Sequence, residues 1–355
     1  MVRKLVSTDI DDLAYGCAVL GTGGGGDPHI GKLMVKQVIN DGKEISLYSV
    51  DEVDDKDWIL PVAMMGAPVI MIEKLPSGTE SVNAMNFFEH EMKKKISFIS
   101  PIEAGGVNST IPLFVGAMTN KRVVDGDGEG RAFPELQMVT YHLYDIKASP
   151  IVMYDEKGNV NVVQAVNNIW GEKIARSVTI RFGGSAYISL YYCDGESYHK
   201  ATIPGTIAKS IEIGQRVREA KKEGKEQFDA LLDVAEAKHL FTGKIVDLER
   251  KVEKGFARGK ITIDGTEEFS GRTASIDFQN ENLILREEEK VIASVPDLIT
   301  VIDSESSTPI TTEHLRYGLR IKVIGIKCDS KWRTKKGLET VGPKYFGYDI
   351  NYKPL

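Results

Sequence analysis

At the start of the chain, apolar residues recur at helical spacing. These apolar residues include Cys17, and they follow hydroxyl and acidic residues that suit the start of a helix. The helical pattern ends at a run of glycines. Pro28, which suits the first turn of a helix, opens a second periodic stretch that ends at Gly42. The pattern therefore predicts helices over residues 7–20 and 28–42, joined by a glycine-rich loop.

Apolar runs and helical patterns then alternate as far as residue 193. Strands are predicted over residues 45–50, 58–64, 68–72, 96–102, 122–124 and 186–193, and helices over 79–95, 109–119, 135–144 and 168–178. A hairpin is predicted at Gly158 and Asn159. The repeated strand–loop–helix order indicates an α/β fold with a mixed or largely parallel sheet.

The pattern changes after two charged helical stretches, residues 207–224 and 225–239. Short β-type segments follow, over residues 240–252, 260–263, 274–278, 283–286, 291–294, 298–302 and 319–326. They predict a smaller C-terminal β-rich domain of sandwich or barrel type. The predicted division is an α/β domain over 1–170, a mixed α/β and helical connection over 171–240, a β-rich domain over 241–330 and a C-terminal segment over 331–355.

Composition narrows the function classes. The 355 residues carry a net charge of −6, which argues against nonspecific binding to nucleic acid. No apolar run approaches the ~18 residues that span a membrane, and the first residues do not resemble a signal peptide. Three widely spaced cysteines favour a reducing cytoplasm, and the absence of paired Cys or His motifs makes a structural zinc site an unlikely expectation. Cofactor and metal requirements stay open.

The glycine-rich loop over residues 21–28 is the first candidate site. Free backbone N–H groups beside the start of a helix suit an anion or a carbonyl oxygen. The alternative is a flexible turn in which Asp27 only caps the next helix. The loop lacks the preceding strand of a dinucleotide fingerprint and the Lys of a P-loop. The candidate ligand-binding residues here are Gly23, Gly24, Gly25, Gly26 and Asp27.

A second candidate follows the strand predicted over residues 96–102. Glu103 stands at the carboxyl end of this strand, where ligands bind in α/β sheets, and is a candidate general base. Gly105, Gly106 and Asn108 complete the motif as candidate binding residues. The alternative is that Asn108 caps a helix while Glu103 is solvated.

Two further motifs follow buried apolar runs. Gly66 and Ala67 come directly after the strand predicted over residues 58–64 and are candidate binding residues for the same positional reason. Glu73 is a further candidate, with a surface ion pair to Lys74 as the alternative.

The last motif spans residues 124–135. Asp127 is a second candidate base, and Asp125 and Asp127 together suit a hard cation only weakly, because the other ligands of a calcium loop are missing. Arg131 either grips a ligand oxygen or pairs with an acid as scaffold. Glu135 is a candidate binding residue whose alternative is an acid favoured in the first turn of a helix.

These motifs together resemble a known family. The resemblance is carried, in order, by residues 21–28, 65–68, 73–74, 103–108, 125–128, 130–135, 278–282 and 295–299. The chain is similar over nearly its whole length to the S-methyl thiohydantoin desulfurase family, which is associated with hydantoinase- and oxoprolinase-type proteins. The resemblance implies an α/β domain joined to a smaller β domain.

The resemblance also implies an activity, hydrolysis of the C–S bond of an S-methylated thiohydantoin. The leading hypothesis is therefore a hydrolase acting on a small cyclic amide, with Glu103 or Asp127 activating water and Arg131 stabilising charge. The alternative is a noncatalytic subunit that binds a ligand or nucleotide and partners a hydantoinase-like chain. A homo-oligomer is a further expectation.

Overall fold

The computed structural model describes residues 2–66, 70, 74 and 77–355. Of the strand predicted over residues 68–72, residue 70 alone is described, and it is helical; the other four residues lie outside these ranges. No helix among the described residues has both the length and the apolar composition needed to cross a membrane.

The first part of the chain forms one mixed sheet. Its described strands are Arg3–Lys4 (β1), Ser46–Ser49 (β2), Trp58–Gly66 (β3), Phe98–Pro101 (β4), Arg122–Asp127 (β5), Ile151–Tyr154 (β6), Val160–Val163 (β7), Ser185–Ser189 (β8), Cys193–Asp194 (β9) and Ile203–Pro204 (β10). Their order is β1-β2-β5-β4-β3-β8-β6-β7, with β9 beside β3 and β10 beside β5. Strands β2, β5, β4 and β3 are parallel, and β8, β6 and β7 continue the sheet antiparallel.

Helices surround this sheet. They are Ser7–Leu20 (α1), Pro28–Asn40 (α2), Glu80–Glu91 (α3), Ile111–Thr119 (α4), Thr140–Leu143 (α5), Asn168–Arg181 (α6), Gly195–Ala201 (α7), Thr206–Lys222 (α8), Gln227–Val234 (α9) and Lys335–Val341 (α10). Helices α1 and α8 pack backbone to backbone, because a Cβ on Gly16 would lie 1.9 Å from the carbonyl oxygen of Ser210. The buried Asp12 pairs with Arg218 over 2.7 Å across the same contact.

The second sheet is antiparallel throughout its described strands. These are Lys238–Glu253 (β11), Phe256–Gly265 (β12), Thr273–Gln279 (β13), Glu281–Glu287 (β14), Lys290–Ser294 (β15), Leu298–Asp303 (β16), Pro309–Ile310 (β17) and Arg320–Ile326 (β18). Their order is β15-β14-β13-β12-β11-β18-β16-β17. A continuous core joins this sheet to the first part of the chain, for example through Leu20, Phe133, Leu283 and Trp332.

The α/β class with a second, β-rich region is confirmed, and two details differ from expectation. Hydrogen bonds join the eight described C-terminal strands in one sheet, with β15 and β17 at its ends, whereas a sandwich would have two. The helix predicted over residues 135–144 is only Thr140–Leu143. Tertiary partners occupy the backbone of Leu136: its N–H donates to Glu172 over 3.0 Å, and its carbonyl accepts from Tyr191 over 2.8 Å.

Candidate active site

A cavity of about 60 Å³ lies where the end of β3 and the loops after β4 and β5 meet the start of β14. It is lined by Gly25, Gly26, Ala63, Met64, Met65, Gly66, Ile102, Glu103, Asn108, Glu129, Phe133, Pro134, Glu135, Leu136, Arg176, Ile188, Asn280 and Glu281. Since one buried water needs ~10–15 Å³ by this measure, the cavity matches the space of about four to six water molecules. That scale suits a small ring compound.

The glycine-rich loop forms one wall because its lack of side chains permits close contacts. A Cβ on Gly25 would lie 2.5 Å from the Cα of Gly105, and one on Gly106 would lie 1.5 Å from the carbonyl oxygen of Gly26. The carbonyl of Gly25 also accepts a hydrogen bond from Val107 over 2.9 Å. The two glycine motifs therefore pack backbone against backbone, which brings the glycine-rich loop beside Glu103.

Gly24 makes room for an acid from the other sheet. A Cβ on Gly24 would lie 1.9 Å from Oε1 of Glu281, the first residue of β14. Gly23 contacts the same region: its carbonyl accepts hydrogen bonds from the N–H and the hydroxyl of Thr312, over 2.9 and 3.1 Å. The loop thus joins the two halves of the chain at the cavity wall.

The side-chain amide of Asn108 forms hydrogen bonds with both Glu103 and the backbone of β3. Asn108 Nδ2 donates to Glu103 Oε1 over 2.5 Å, while Asn108 Oδ1 accepts from the N–H of Met64 over 2.7 Å. Burial raises the pKa of Glu103 to about 7, against the lowering effect of the Asn108 hydrogen bond, and the nearby Asp127 raises it further. A carboxyl group whose pKa lies near neutrality can both accept and return a proton.

Two more buried carboxyl groups, absent from the sequence candidates, line the cavity. Oε2 of Glu129 and Oε2 of Glu281 are buried, and neither has a hydrogen-bond partner among the described residues. Burial raises both pKa values well above the ordinary value, and the charge of Glu103 raises them further. Burial therefore favours the protonated form of both groups, and a protonated carboxyl group can donate a hydrogen bond.

Arg176 brings a guanidinium group to the cavity from α6. Its Nε donates to Glu172 Oε1 over 2.7 Å and its Nη2 donates to the carbonyl of Pro134 over 2.9 Å. The guanidinium carbon lies 4.3 Å from the ring centre of Phe256, which comes from β12. The group is thus oriented from three sides while it faces the cavity.

Glu135 lies on the cavity wall with its carboxylate already engaged. Oε2 accepts from Gln137 over 2.5 Å and from the hydroxyl of Tyr345 over 2.7 Å. Tyr345 belongs to the C-terminal segment, which is thereby joined to a residue of the cavity wall.

Other sequence candidates lie behind the wall in structural contacts. Asp127 Oδ1 accepts from the N–H groups of Glu129 and Gly130, over 2.5 and 2.6 Å, and so shapes the loop that presents Glu129. Asp125 Oδ1 accepts from the N–H of Ile207 over 2.8 Å in the first turn of α8. Burial raises the pKa of Asp127 to about 7 and that of Asp125 to about 6.

Arg131 and Asp27 also bind the protein itself. Nη1 of the fully buried Arg131 donates to the carbonyl oxygens of Pro296 and Asp297, over 2.8 and 2.9 Å. Asp27 caps α2 by accepting from the N–H of His29 over 2.8 Å, and its other oxygen lies 3.1 Å from His314. The scaffold alternative for Arg131 thus takes the form of hydrogen bonds to carbonyl groups.

Two candidates, Ala67 and Glu73, lie outside the described residues. Lys74 is described, and its Nζ lies 2.6 Å from Glu156 and donates to the carbonyl of Phe182. Gly66, Gly25, Gly26, Glu103, Asn108 and Glu135 are the sequence candidates that line the cavity. Within the described ranges, no group of three or more His, Cys, Asp and Glu side chains is arranged to hold a metal ion.

Local sequence carried little signal for the residues that were missed. Glu129 lies between two glycines, in a motif whose functional interpretation rested on Asp127 and Arg131. Glu281 begins a strand more than 170 residues beyond Glu103, and its only signal is its place in the motif over residues 278–282. Arg176 lies mid-helix, where an arginine is common.

Two family models match this chain. The S-Me-THD-like N-terminal domain matches residues 8–165 and the S-Me-THD-like C-terminal domain matches residues 166–355. No curated protein matches. A crystal structure of a protein from Chromobacterium violaceum is similar with a TM-score of 0.83 and 21% identity, over 99% of this chain and 100% of that one; this likeness supports the fold. Because the two models cover almost every residue, the chain belongs to the S-Me-THD-like family.

Proposed function

We propose that the protein is a hydrolase acting on a small cyclic amide of hydantoin type, and that it hydrolyses the C–S bond of an S-methyl thiohydantoin. The observation that carries the proposal is Glu103: a buried carboxyl group on a small cavity, held by Asn108 over 2.5 Å, with a pKa raised by burial to about 7. A base of this kind activates water at neutral pH.

The reaction needs two proton-transferring groups. Glu103 takes a proton from water as the water oxygen bonds to the amidine carbon of the ring. The ring nitrogen gains the electron pair of the C=N bond and a proton from a neutral carboxyl group, for which Glu129 and Glu281 are placed. The C–S bond then breaks, methanethiolate takes the proton from Glu103, and the hydroxyl proton restores the second carboxyl group. The products are a hydantoin and methanethiol.

Hydrogen-bond donors on the wall would hold the ring carbonyl and the negative charge that develops. The N–H groups of Gly25 and Gly26 donate to no described residue, and Arg176 retains unused N–H groups beyond its bonds to Glu172 and Pro134. Donors fixed before the reaction stabilise developing charge without reorganising. In this assignment Arg176 takes the role that the sequence suggested for Arg131, and Asp127 supports the loop.

The test is release of methanethiol from an S-methyl thiohydantoin by the purified chain, followed with a chromogenic thiol reagent. Background from the protein is slow, because Cys17, Cys193 and Cys328 are all buried. Glu103→Gln keeps the shape of the side chain and removes the base, so we expect a loss of ~100-fold or more in kcat. Glu226→Gln, at an exposed position whose side chain does not cap its helix, is the matched control.

Full turnover by a folded Glu103→Gln variant would overturn the assignment of the base. If the wild-type chain neither released thiol from any S-methylated cyclic amide nor opened the ring of a plain one, the enzymatic proposal would be overturned. The remaining hypothesis would then be a binding subunit, which predicts thiol release only after a hydantoinase-like chain is added.

A further inference from the structure

The cavity has an excess of acidic groups that general-base chemistry does not require. Glu103, Glu129 and Glu281 all line it, and each is at most 5% exposed. They lie close enough for the charge on Glu103 to act on both of the other carboxyl groups. One base and one acid would suffice for hydrolysis, so the third carboxyl group calls for a separate explanation.

The two arginines near these acids bind other groups of the protein. Arg131 binds the carbonyl groups of Pro296 and Asp297, and Arg176 binds Glu172 and the carbonyl of Pro134. Neither arginine forms an ion pair with Glu103, Glu129 or Glu281 among the described residues. The carboxyl cluster therefore has no direct ion pair among the described residues. The charge of Arg131, whose Nη2 has no hydrogen-bond partner, acts on all three acids from a longer distance, and Asp127 adds a further acid behind them.

Unpartnered buried oxygens are costly and are rare in folded proteins. Oε2 of Glu129 and Oε2 of Glu281 are both of this kind, and both side chains reach the cavity wall. A ligand with N–H donors in one plane would satisfy both oxygens. If that ligand also carried a positive charge, it would form the direct ion pair that neither arginine makes, because charge-assisted hydrogen bonds between a planar N–H fork and carboxylates are strong.

We propose that this site selects rings that carry an amidine or guanidine group and binds them as cations, with the ring N–H groups donating to Glu129 and Glu281. The inference rests on the proposed function, since it identifies the substrate class of the same cavity. An S-methyl thiohydantoin falls in this class because its ring carbon is an S-methylated amidine. A hydantoin product has lost the amidine and would leave the site more readily.

The proposal predicts proton release on binding. In the empty site burial favours the neutral forms of Glu129 and Glu281, whereas a bound cation favours the ionised carboxylate. Each cation that binds therefore displaces a proton from the cluster formed by Glu103, Glu129 and Glu281. A neutral ring of the same size displaces none.

The experiment compares two rings that differ chiefly in charge, the 2-aminoimidazolinium ion and the neutral imidazolidin-2-one, by calorimetry at neutral pH on the full chain. We expect the wild-type protein to bind the cation about tenfold or more tightly than the neutral ring. Titrations in two buffers of different ionisation enthalpy should show proton release for the cation alone. These measurements need no variant.

Variants of the cavity acids test which residues cause the preference for the cation. Glu281→Gln and Glu129→Gln should each reduce the preference for the cation, while Glu226→Gln should keep it. Equal affinity for the two rings, or a preference with no proton release, would overturn the proposal. So would a preference that persists unchanged in both folded cavity variants.

Failure of the two proposals can be distinguished. Glu103→Gln should lose thiol release yet still prefer the cation, because Glu129 and Glu281 remain. A protein that prefers the cation but releases no thiol would keep the binding inference and lose the reaction. A protein that releases thiol but binds both rings equally would keep the proposed reaction and lose the binding inference.

Discussion

Asn108 donates a hydrogen bond to Glu103 over 2.5 Å while the same amide joins the backbone of Met64 on β3. The amide therefore fixes the carboxyl group to the sheet and stabilises its ionised form. This relationship makes Asn108 a positioning residue whose effect should be visible in the pH dependence of the reaction.

Asn108→Ala should shift the pH profile of kcat/KM. The hydrogen bond lowers the pKa of Glu103, so its loss raises that pKa. Since the base must be ionised, activity should begin to rise at a higher pH than in the wild type. The measurement is thiol release across about pH 5 to 9. An unchanged acidic limb in a folded variant would contradict the assignment. Ser109→Ala, in the same loop, serves as the control.

Asp127→Asn should remove part of the pH dependence of stability. Burial raises the pKa of Asp127 to about 7, whereas an unfolded Asp titrates near ~4. Between these values the unfolded chain has lost a proton that the folded chain keeps, so the free energy of unfolding falls as pH rises, by up to ~1.4 kcal/mol per pH unit. Asparagine cannot ionise, and its Oδ1 can still accept from Glu129 and Gly130.

Urea unfolding at about pH 5 and pH 8 measures this effect. The variant should gain stability relative to the wild type as pH increases, whereas exposed Asp233→Asn should not. Parallel pH dependences for Asp127→Asn and the wild type would show that Asp127 does not titrate in this window.

Gly24→Ala tests the contact between the glycine-rich loop and Glu281. The backbone of Gly24 is not left-handed, but the new Cβ would lie 1.9 Å from Oε1 of Glu281 and would displace it. We expect weaker cation binding and a loss of roughly 1–3 kcal/mol of stability. Gly224→Ala is the control: it adds a methyl group in open space, and its φ of +67° makes it the more strained replacement. Retained binding in Gly24→Ala would remove Glu281 from the site.

Arg176→Lys tests whether the guanidinium holds the substrate. Lysine keeps the charge but lacks the fork that joins Glu172, Pro134 and the cavity. If Arg176 stabilises developing charge, kcat should fall by more than ~10-fold; if it only binds the ring, KM should rise at constant kcat. Phe256→Leu, which loosens the stacking on Arg176, should shift the same parameter by a smaller factor. No change in either parameter would exclude Arg176 from the reaction.

Local sequence predicted the elements well where the apolar periodicity is strong, although the hydroxyl residues expected to cap α1 lie inside the helix, after its N-cap residue Val6. Helix α1 occupies Ser7–Leu20 as predicted, and Asn120 in the left-handed conformation ends α4 at Thr119. The prediction of a helix was wrong for residues 135–139. There the backbone of Leu136 forms hydrogen bonds with Glu172 and Tyr191, which come from distant parts of the chain. Propensity cannot anticipate partners that only the tertiary fold supplies.

In the candidate site too, some residues could be identified from local sequence and others could not. Glu103 was identified from its position at the end of a strand, and it does lie on the cavity wall. Asp127 and Arg131 drew attention because they are charged residues among glycines, yet their contacts are with backbone groups. Glu281 was missed because its closeness to Gly24 depends on how β14 docks, which no local pattern encodes.

Glu281 belongs to the second family domain, whereas Glu103 and the glycine-rich loop belong to the first. A prematurely terminated polypeptide, or one half expressed by itself, would therefore carry an incomplete set of acids and be inert rather than weakly active. Evolutionary exchange of one half between relatives would face the same constraint, because both sides of the Gly24–Glu281 contact must change together.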